Sequence, residues 1–260
     1  MAPDSHFIYG RHPVQEALAA GSFDIVALYV QAQEGAVARR ESGGRQEVLR
    51  LAQSHNIPVR TVGRAALDKL VGPTAVHQGL VLETAPFAYT PLEALSPPEG
   101  VAPLYVLLDQ VQDPHNLGAI ARSALALGAH GLILGKDRCA QVTATAIKAS
   151  AGATAHLPIV QVVNLSRCLT ALKERGVWIV GTVAQGERVT PLAKVDLTLP
   201  TALVIGGEGQ GIRALTAKHC DVLTHIPIGS IGSLNASVAA SICLYEAARQ
   251  RQSTSFAPKG

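Results

Sequence analysis

Between Ala202 and Ile212 the chain reads ALVIGGEGQGI, an apolar run that ends in four glycines, one carboxylate and one carboxamide within six positions. Glycine has no Cβ, so backbone here can close on a ligand, and the run is a candidate ligand loop. It is not a Walker loop, because Ile212 and Arg213 stand where Lys and Ser/Thr would follow the last glycine. Nor is it a dinucleotide fingerprint: position 212 is Ile, and the next apolar run ends in Ile228 and Gly229 without the acid that would hold a ribose. A second polar pair lies upstream in DPHNLGAIARSALALGA, where Asn116 reads as a helix N-cap. Arg122 sits roughly 140° around the same helix from Leu117, off the apolar stripe and able to face a cleft. Thr182 closes the strand-like run VWIVGTV, where open α/β sheets bind ligands. His219, Cys220 and His225 match no zinc spacing, so no metal is expected.

These groups must be held by alternating elements. LYVLLDQV has the continuous apolar character of a buried parallel strand. The stripe Leu117, Ile120, Ala121, Ala124 and Leu125 predicts a helix that stops at Gly128. GLILG, HLPIVQVV, VWIVGTV and ALVIG follow as strands separated by helical patterns, with Trp178 read as core. The chain therefore reads as α/β, and from pattern alone as a doubly wound open sheet, since knots are almost absent among folds. Residues 1–85 form a separate, smaller α/β pattern: a helix opened by His12-Pro13, a strand over 24–30, a helix over 46–55, the strand PVRTV, the helix AALDKLV and the strand GLVLETA. Five of the 15 prolines fall within residues 86–103, which predicts an extended linker between 1–85 and 104–260.

Composition narrows the classes. With 260 residues, 48% hydrophobic and 16% charged, the chain suits a packed globular enzyme and not a disordered one. No apolar run reaches membrane-spanning length and the start lacks a secretory pattern, so a cytoplasmic protein with free thiols is expected, with no membrane partner. Residues 1–85 carry 8 basic and 8 acidic side chains; residues 104–260 carry 14 and 9, for a net +5. That surplus permits a polyanionic partner. In the first region Arg39, Arg40, Arg45, Arg60 and Arg64 are available for phosphates, beside a polar, glycine-bearing stretch over 34–45 expected to be mobile.

Three stretches in order, DPHNLGAIARSA (113–124), LVIGGEGQGI (203–212) and IPIGSIGSLNASVAASICLYEA (226–247), resemble the motifs of the SpoU/TrmH family of the SPOUT class. FIYGRHPVQEAL, AVHQGL and KDRCAQVTATAIKASAGA extend the resemblance over nearly the whole chain, nearest the RlmB-like branch. IPIGSIGSLN is one residue shorter than that pattern. The resemblance implies S-adenosylmethionine-dependent 2′-O-methylation of a ribose, a guanosine of large-subunit (23S) ribosomal RNA. It implies a C-terminal trefoil-knotted SPOUT methyltransferase domain with a Rossmann-like parallel sheet, preceded by a small L30e-like α/β RNA-binding domain. It further implies a homodimer acting on 23S rRNA or the assembling large subunit; helical spacing puts Leu234, Val238, Ile242 and Tyr245 on one face of the last helix, expected over Leu234 to Arg249, through which the dimer is expected to pair in part.

By the same resemblance Arg122 is the base or the holder of an RNA phosphate that serves as one. Asn116, Glu208, Ser233 and Asn235 complete the catalytic set. Thr182, Gly206, Ile226, Ile228 and Leu234 would hold the methyl donor, whose adenine needs an apolar slot with backbone hydrogen bonds. The same chemistry on tRNA, a catalytically silent ribosome-assembly factor and a nucleotide-dependent oxidoreductase are the alternatives; the last is disfavoured by the missing ribose acid.

Overall fold

The computed structural model describes residues 6–20, 23–32, 42–184, 189–207, 211–229 and 232–255. They fall into two units, the first made of residues up to 88 together with 142–156, the second of 89–141 and 157 onward. In the first unit the order is β1 (His6–Tyr9), α1 (Arg11–Ala20), β2 (Ile25–Gln31), α2 (Ser42–Ser54), β3 (Val59–Val62), α3 (Arg64–Val71) and β4 (Leu80–Thr84). The four strands lie in the order β1-β4-β2-β3, with β2 and β3 parallel and the other pairs antiparallel. β1 has only four residues, too few for a periodic signal in the sequence. Ile8, Leu28, Val30 and Leu82 of the sheet and Val14, Leu18, Val48 and Leu67 of the helices are all essentially inaccessible to water.

The second unit begins with β5 (Leu104–Asp109), every residue of which is buried. α4 (Pro114–Ala126) follows, then β6 (Gly131–Gly135). α5 (Ala144–Ala149) lies in the segment that belongs to the first unit. The second unit resumes with β7 (Ile159–Val162), α6 (Leu165–Glu174), β8 (Trp178–Thr182), β9 (Thr190–Pro191), β10 (Thr201–Gly206), α7 (Ala214–His219), β11 (Val222–His225) and α8 (Ala236–Ser255). The seven strands run parallel in the order β7-β6-β5-β10-β8-β11-β9. A sheet covered on both faces explains the unbroken apolar runs of β5, β6 and β10. On one face Leu107, Ile133, Val160 and Val204 meet Leu165, Leu169 and Leu172 of α6. On α4 Leu117, Ile120, Ala121 and Ala124 of the expected stripe are buried, together with Asn116 and Gly118, whereas Leu125 is 37% exposed. Burying each of Leu117 and Ile120 contributes roughly 1.5–3 kcal/mol.

Three expectations change. The cap of α4 is Asp113, not Asn116: its carboxylate accepts from the His115 N–H at 2.9 Å, and Pro114 fills the first turn where no donor is needed. Trp178 is not core; as the first residue of β8 it is 48% exposed. The proline-rich stretch is no free spacer. Leu95 is buried in the second unit's core, and the Thr90 N–H donates to the Ile159 carbonyl at 2.8 Å.

Candidate active site

Parallel strands end at one edge, and their loops gather there. The carboxyl ends of β8, β10 and β11 enclose a cavity of about 330 Å³. Thr182, Gly206, Ile226, Ile228 and Leu234, the five positions expected to hold a donor, all line it, and so does Ser233. Ile205 and Ile212 extend the apolar wall. The Thr182 hydroxyl is turned inward and donates to the Val204 carbonyl at 2.9 Å. The side chain is thus oriented by the sheet, which leaves its methyl and backbone for a ligand.

The glycine turn is shaped by packing against its own neighbours. A Cβ at Gly206 would run into the backbone of Gly211 and Ile212, and one at Gly207 into the Gln110 carbonyl. Glycine at 206 is therefore required to close the turn, whereas the sequence suggested that it clears space for the donor. Gly207 and Gly211 bridge each other, and the Gly207 N–H donates to the Asp109 carbonyl at 2.8 Å.

Beneath this turn lies a residue that sequence reasoning missed. Asp109 ends the all-apolar strand β5 and is fully buried. Its Oδ2 accepts from the Arg213 N–H at 2.8 Å and its Oδ1 from Arg213 Nε–H at 2.7 Å. One residue therefore fastens both ends of the glycine turn to the sheet, Gly207 through its backbone carbonyl and Arg213 through its carboxylate. The signal available was a lone acid closing a buried strand, which must find a partner because an unpaired buried charge is costly.

A second, more polar cleft of about 740 Å³ opens on the other side of the same turn. Gln110, Asp113, Asn116 and Arg138 line it, and it shares Gly207 and Gly211 with the first cavity. Asn116 is 6% exposed and, freed of the capping role, faces this cleft. Arg122 is exposed on α4 and lines neither cavity. Asn235 caps α8: its Oδ1 accepts from the Ser237 N–H at 2.9 Å and from the Ser237 hydroxyl at 2.6 Å. Glu208 lies outside the described residues, as do Arg39 and Arg40. Of the other arginines proposed for phosphates, Arg45 donates to the Gln31 carbonyl, Arg60 to the Tyr29 hydroxyl, and Arg64 pairs loosely with Asp68 at 3.9 Å. Among the described residues no cluster of His, Cys, Asp and Glu could hold a metal.

Burial pushes the Cys139 thiol up to about 11 and those of Cys168, Cys220 and Cys243 up to about 12. None is a thiolate near neutral pH, which excludes them as nucleophiles here.

Residues 103–245 match the SpoU rRNA Methylase family, and residues 7–90 match a family described as RNA 2′-O ribose methyltransferase substrate binding. The chain is 43% identical over 249 residues to the 23S rRNA (guanosine-2′-O-)-methyltransferase RlmB of Photobacterium profundum, covering 94% of this chain and 98% of that protein. It is 40% identical over 249 residues to the RlmB of Pseudomonas putida, with 94% and 96% covered. Its structure superposes with a TM-score of 0.78 on the SpoU methyltransferase AviRb of Streptomyces viridochromogenes in complex with AdoMet, at 30% identity and with 96% and 92% of the chains covered. With a parallel sheet whose strand ends carry all three motifs, and with a family match over more than half its length, the chain belongs to the SpoU rRNA methylase family.

Proposed function

We propose that this protein transfers the methyl group of S-adenosylmethionine to the 2′-hydroxyl of a guanosine ribose in 23S rRNA. The observation that carries the reading is the adjacency of an apolar cavity and a polar cleft across a single glycine turn. That is what a methyl transfer between two bound partners requires, because placement alone supplies much of the rate. The apolar wall of Ile226, Ile228 and Leu234, with backbone groups at three strand ends, fits an adenosine moiety. Bound S-adenosylmethionine supplies an electrophilic methyl group on a sulfonium.

The chain's own part is to orient the ribose and take a proton. Asn116 stands in the polar cleft, where its carboxamide can hydrogen-bond a ribose hydroxyl. Arginine stays protonated at any working pH, so Arg122 acts best by gripping an RNA phosphate bidentately and presenting that phosphate to the hydroxyl proton. Ser233 at the cavity mouth and Asn235 at the start of α8 orient the donor loop, and Glu208 in the glycine turn completes the set. The trefoil knot is part of this same carry-over from the family. The first unit supplies affinity for rRNA or for the assembling large subunit.

The active form in this reading is a homodimer in the cytoplasm. On α8, Val238 and Tyr245 are 46% and 60% exposed while Ala240, Leu244 and Ala247 are buried within the chain, so an apolar face is left for a second copy. Among the described residues no helix is long and apolar enough to cross a membrane. Labelled methyl transfer to unmodified rRNA, with mapping of the modified ribose, tests the activity. Failure to label any rRNA under conditions where the donor binds would refute it. Light scattering that shows a monomer at micromolar concentration would refute the dimer.

A further inference from the structure

The loop after β6 is built with unusual care for a surface segment. Arg138 sits in it with φ at +55°, a left-handed conformation that a non-glycine side chain rarely adopts. Gln110, across the cleft at the end of β5, has φ at +64°. Strained backbone persists only where its surroundings hold it, and such positions cluster at functional sites. Here the hold is explicit. The Gln141 amide nitrogen lies 3.1, 3.2 and 2.9 Å from the carbonyls of Gly135, Lys136 and Cys139. The Gln141 Oε1 accepts from the Tyr89 hydroxyl at 3.1 Å and from the Gln161 amide. The Ala140 N–H donates to the Val111 carbonyl at 2.7 Å, which ties the loop to the residue next to Gln110. An arginine exposed only for solubility needs none of this. Among the described residues lining the polar cleft, Arg138 is the only cation.

We infer that the polar cleft receives the base of the acceptor nucleotide and that Arg138 is its specificity-determining residue, donating to O6 and N7 of guanine. This rests on the function proposed above and deepens it. A guanidinium fork matches the two acceptors on that edge of guanine, whereas adenine presents an N–H₂ donor in place of O6 and is repelled. The cleft opens at the carboxyl ends of β5, β6 and β10, next to the donor cavity, so a base held there leaves its ribose at the shared glycine turn. Gln141 is then a positioning residue: it touches no substrate and sets the direction of Arg138.

The test uses the full-length protein and synthetic rRNA fragments spanning the ribose that mapping identifies, with guanosine, 7-deazaguanosine or adenosine at that position. Wild type should prefer guanosine over adenosine by roughly 5- to 150-fold or more in single-turnover kcat/KM, and over 7-deazaguanosine by a smaller factor. Arg138→Ala, an exposed change that leaves folding intact, should bring both ratios to within about threefold of one, with calorimetric donor affinity unchanged. Gln141→Met should lower the ratios in the same direction, a shift that mere loosening of the fold would not produce.

If Arg138→Ala slows all three substrates equally, the residue grips a phosphate and the inference is overturned. Unchanged ratios overturn it as well. If wild type methylates no fragment while binding the donor, the proposed function itself fails and takes this inference with it.

Discussion

The pair formed by Asp109 and Arg213 offers the most direct test of how the fold holds the glycine turn. The two partners are unequal: Asp109 is fully buried, whereas the Arg213 side chain is 41% exposed. Arg213→Ala would strand a carboxylate in the sheet with only the backbone N–H of residue 213 to stabilise it, and an uncompensated buried charge costs about 3–5 kcal/mol. Asp109→Asn leaves a guanidinium that water can reach. An amide offers one acceptor oxygen where the carboxylate had two in use, so one of the two Arg213 donors loses its partner, at about 1.5–3 kcal/mol. Removal of the arginine should therefore cost more than neutralisation of the acid. At about 2–4 °C per kcal/mol for a domain of this size, the losses are roughly 6–20 °C and 3–12 °C. The single tryptophan, Trp178, lies on β8, so its fluorescence reports the second unit alone. Thermal unfolding of both variants by this signal, with calorimetric S-adenosylmethionine binding, is the assay. Both should also bind the donor more weakly, because each breaks the two-bond clamp between the Asp109 carboxylate and Arg213 that holds the end of the glycine turn. If Arg213→Ala melts no earlier than Asp109→Asn, the buried-charge reasoning is wrong. If donor affinity stays at the wild-type value in both, the pair does not hold the loop.

Further outcomes follow from the same geometry. Arg122→Ala should lower single-turnover methylation by about 100- to 10,000-fold, the range for loss of general-base assistance, with donor affinity and melting unchanged; a wild-type rate in a folded dimer would remove Arg122 from the site. Gly206→Val should lower both stability and donor affinity, because the new Cβ meets the turn's own backbone; loss of binding at wild-type stability would instead mean that the side chain fills donor space. Cys139, pushed up to about 11 by burial, should alkylate at pH 8 roughly 300-fold more slowly than a free cysteine of ordinary pKa, and labelling at the free rate under native conditions would contradict the burial. Burial, reinforced by Arg251, holds the His130 pKa below its ordinary value of 6.5, while its Nδ1 accepts from the Leu104 N–H. The unfolded chain therefore takes up this proton first as pH falls, and the contribution to stability is complete above about 6.5 and drains below it. A melting-temperature profile for His130→Asn should be flatter than wild type between pH 6.5 and 5, and parallel profiles would rule this out.

The elements themselves were legible in the sequence because their signals are local. The unbroken run LYVLLD marks a strand covered on both faces, and the stripe from Leu117 to Ala124 marks a helix with one buried side. The apolar cavity could be anticipated for a related reason: Thr182, Gly206 and Ile226 each stand at the end of a recognisable strand, and parallel strands end at a common edge. Tertiary structure decided what lies between elements. Asp109 and Arg213 are 104 residues apart, and no periodicity relates an acid at one strand end to an arginine past another. Residues 142–156 sit in sequence between β6 and β7, yet they complete the first unit's core. Asn116 carried a capping signal in the sequence, and the fold of the first turn gave that role to Asp113 instead. Trp178 looked like core because it lies inside the apolar run VWIVGTV, but the strand begins at Trp178 itself and leaves it 48% exposed. The polar cleft was invisible for the deepest reason: it exists only because β5, β6 and β10 are neighbours, an order set by packing of the whole sheet and by no stretch of chain alone.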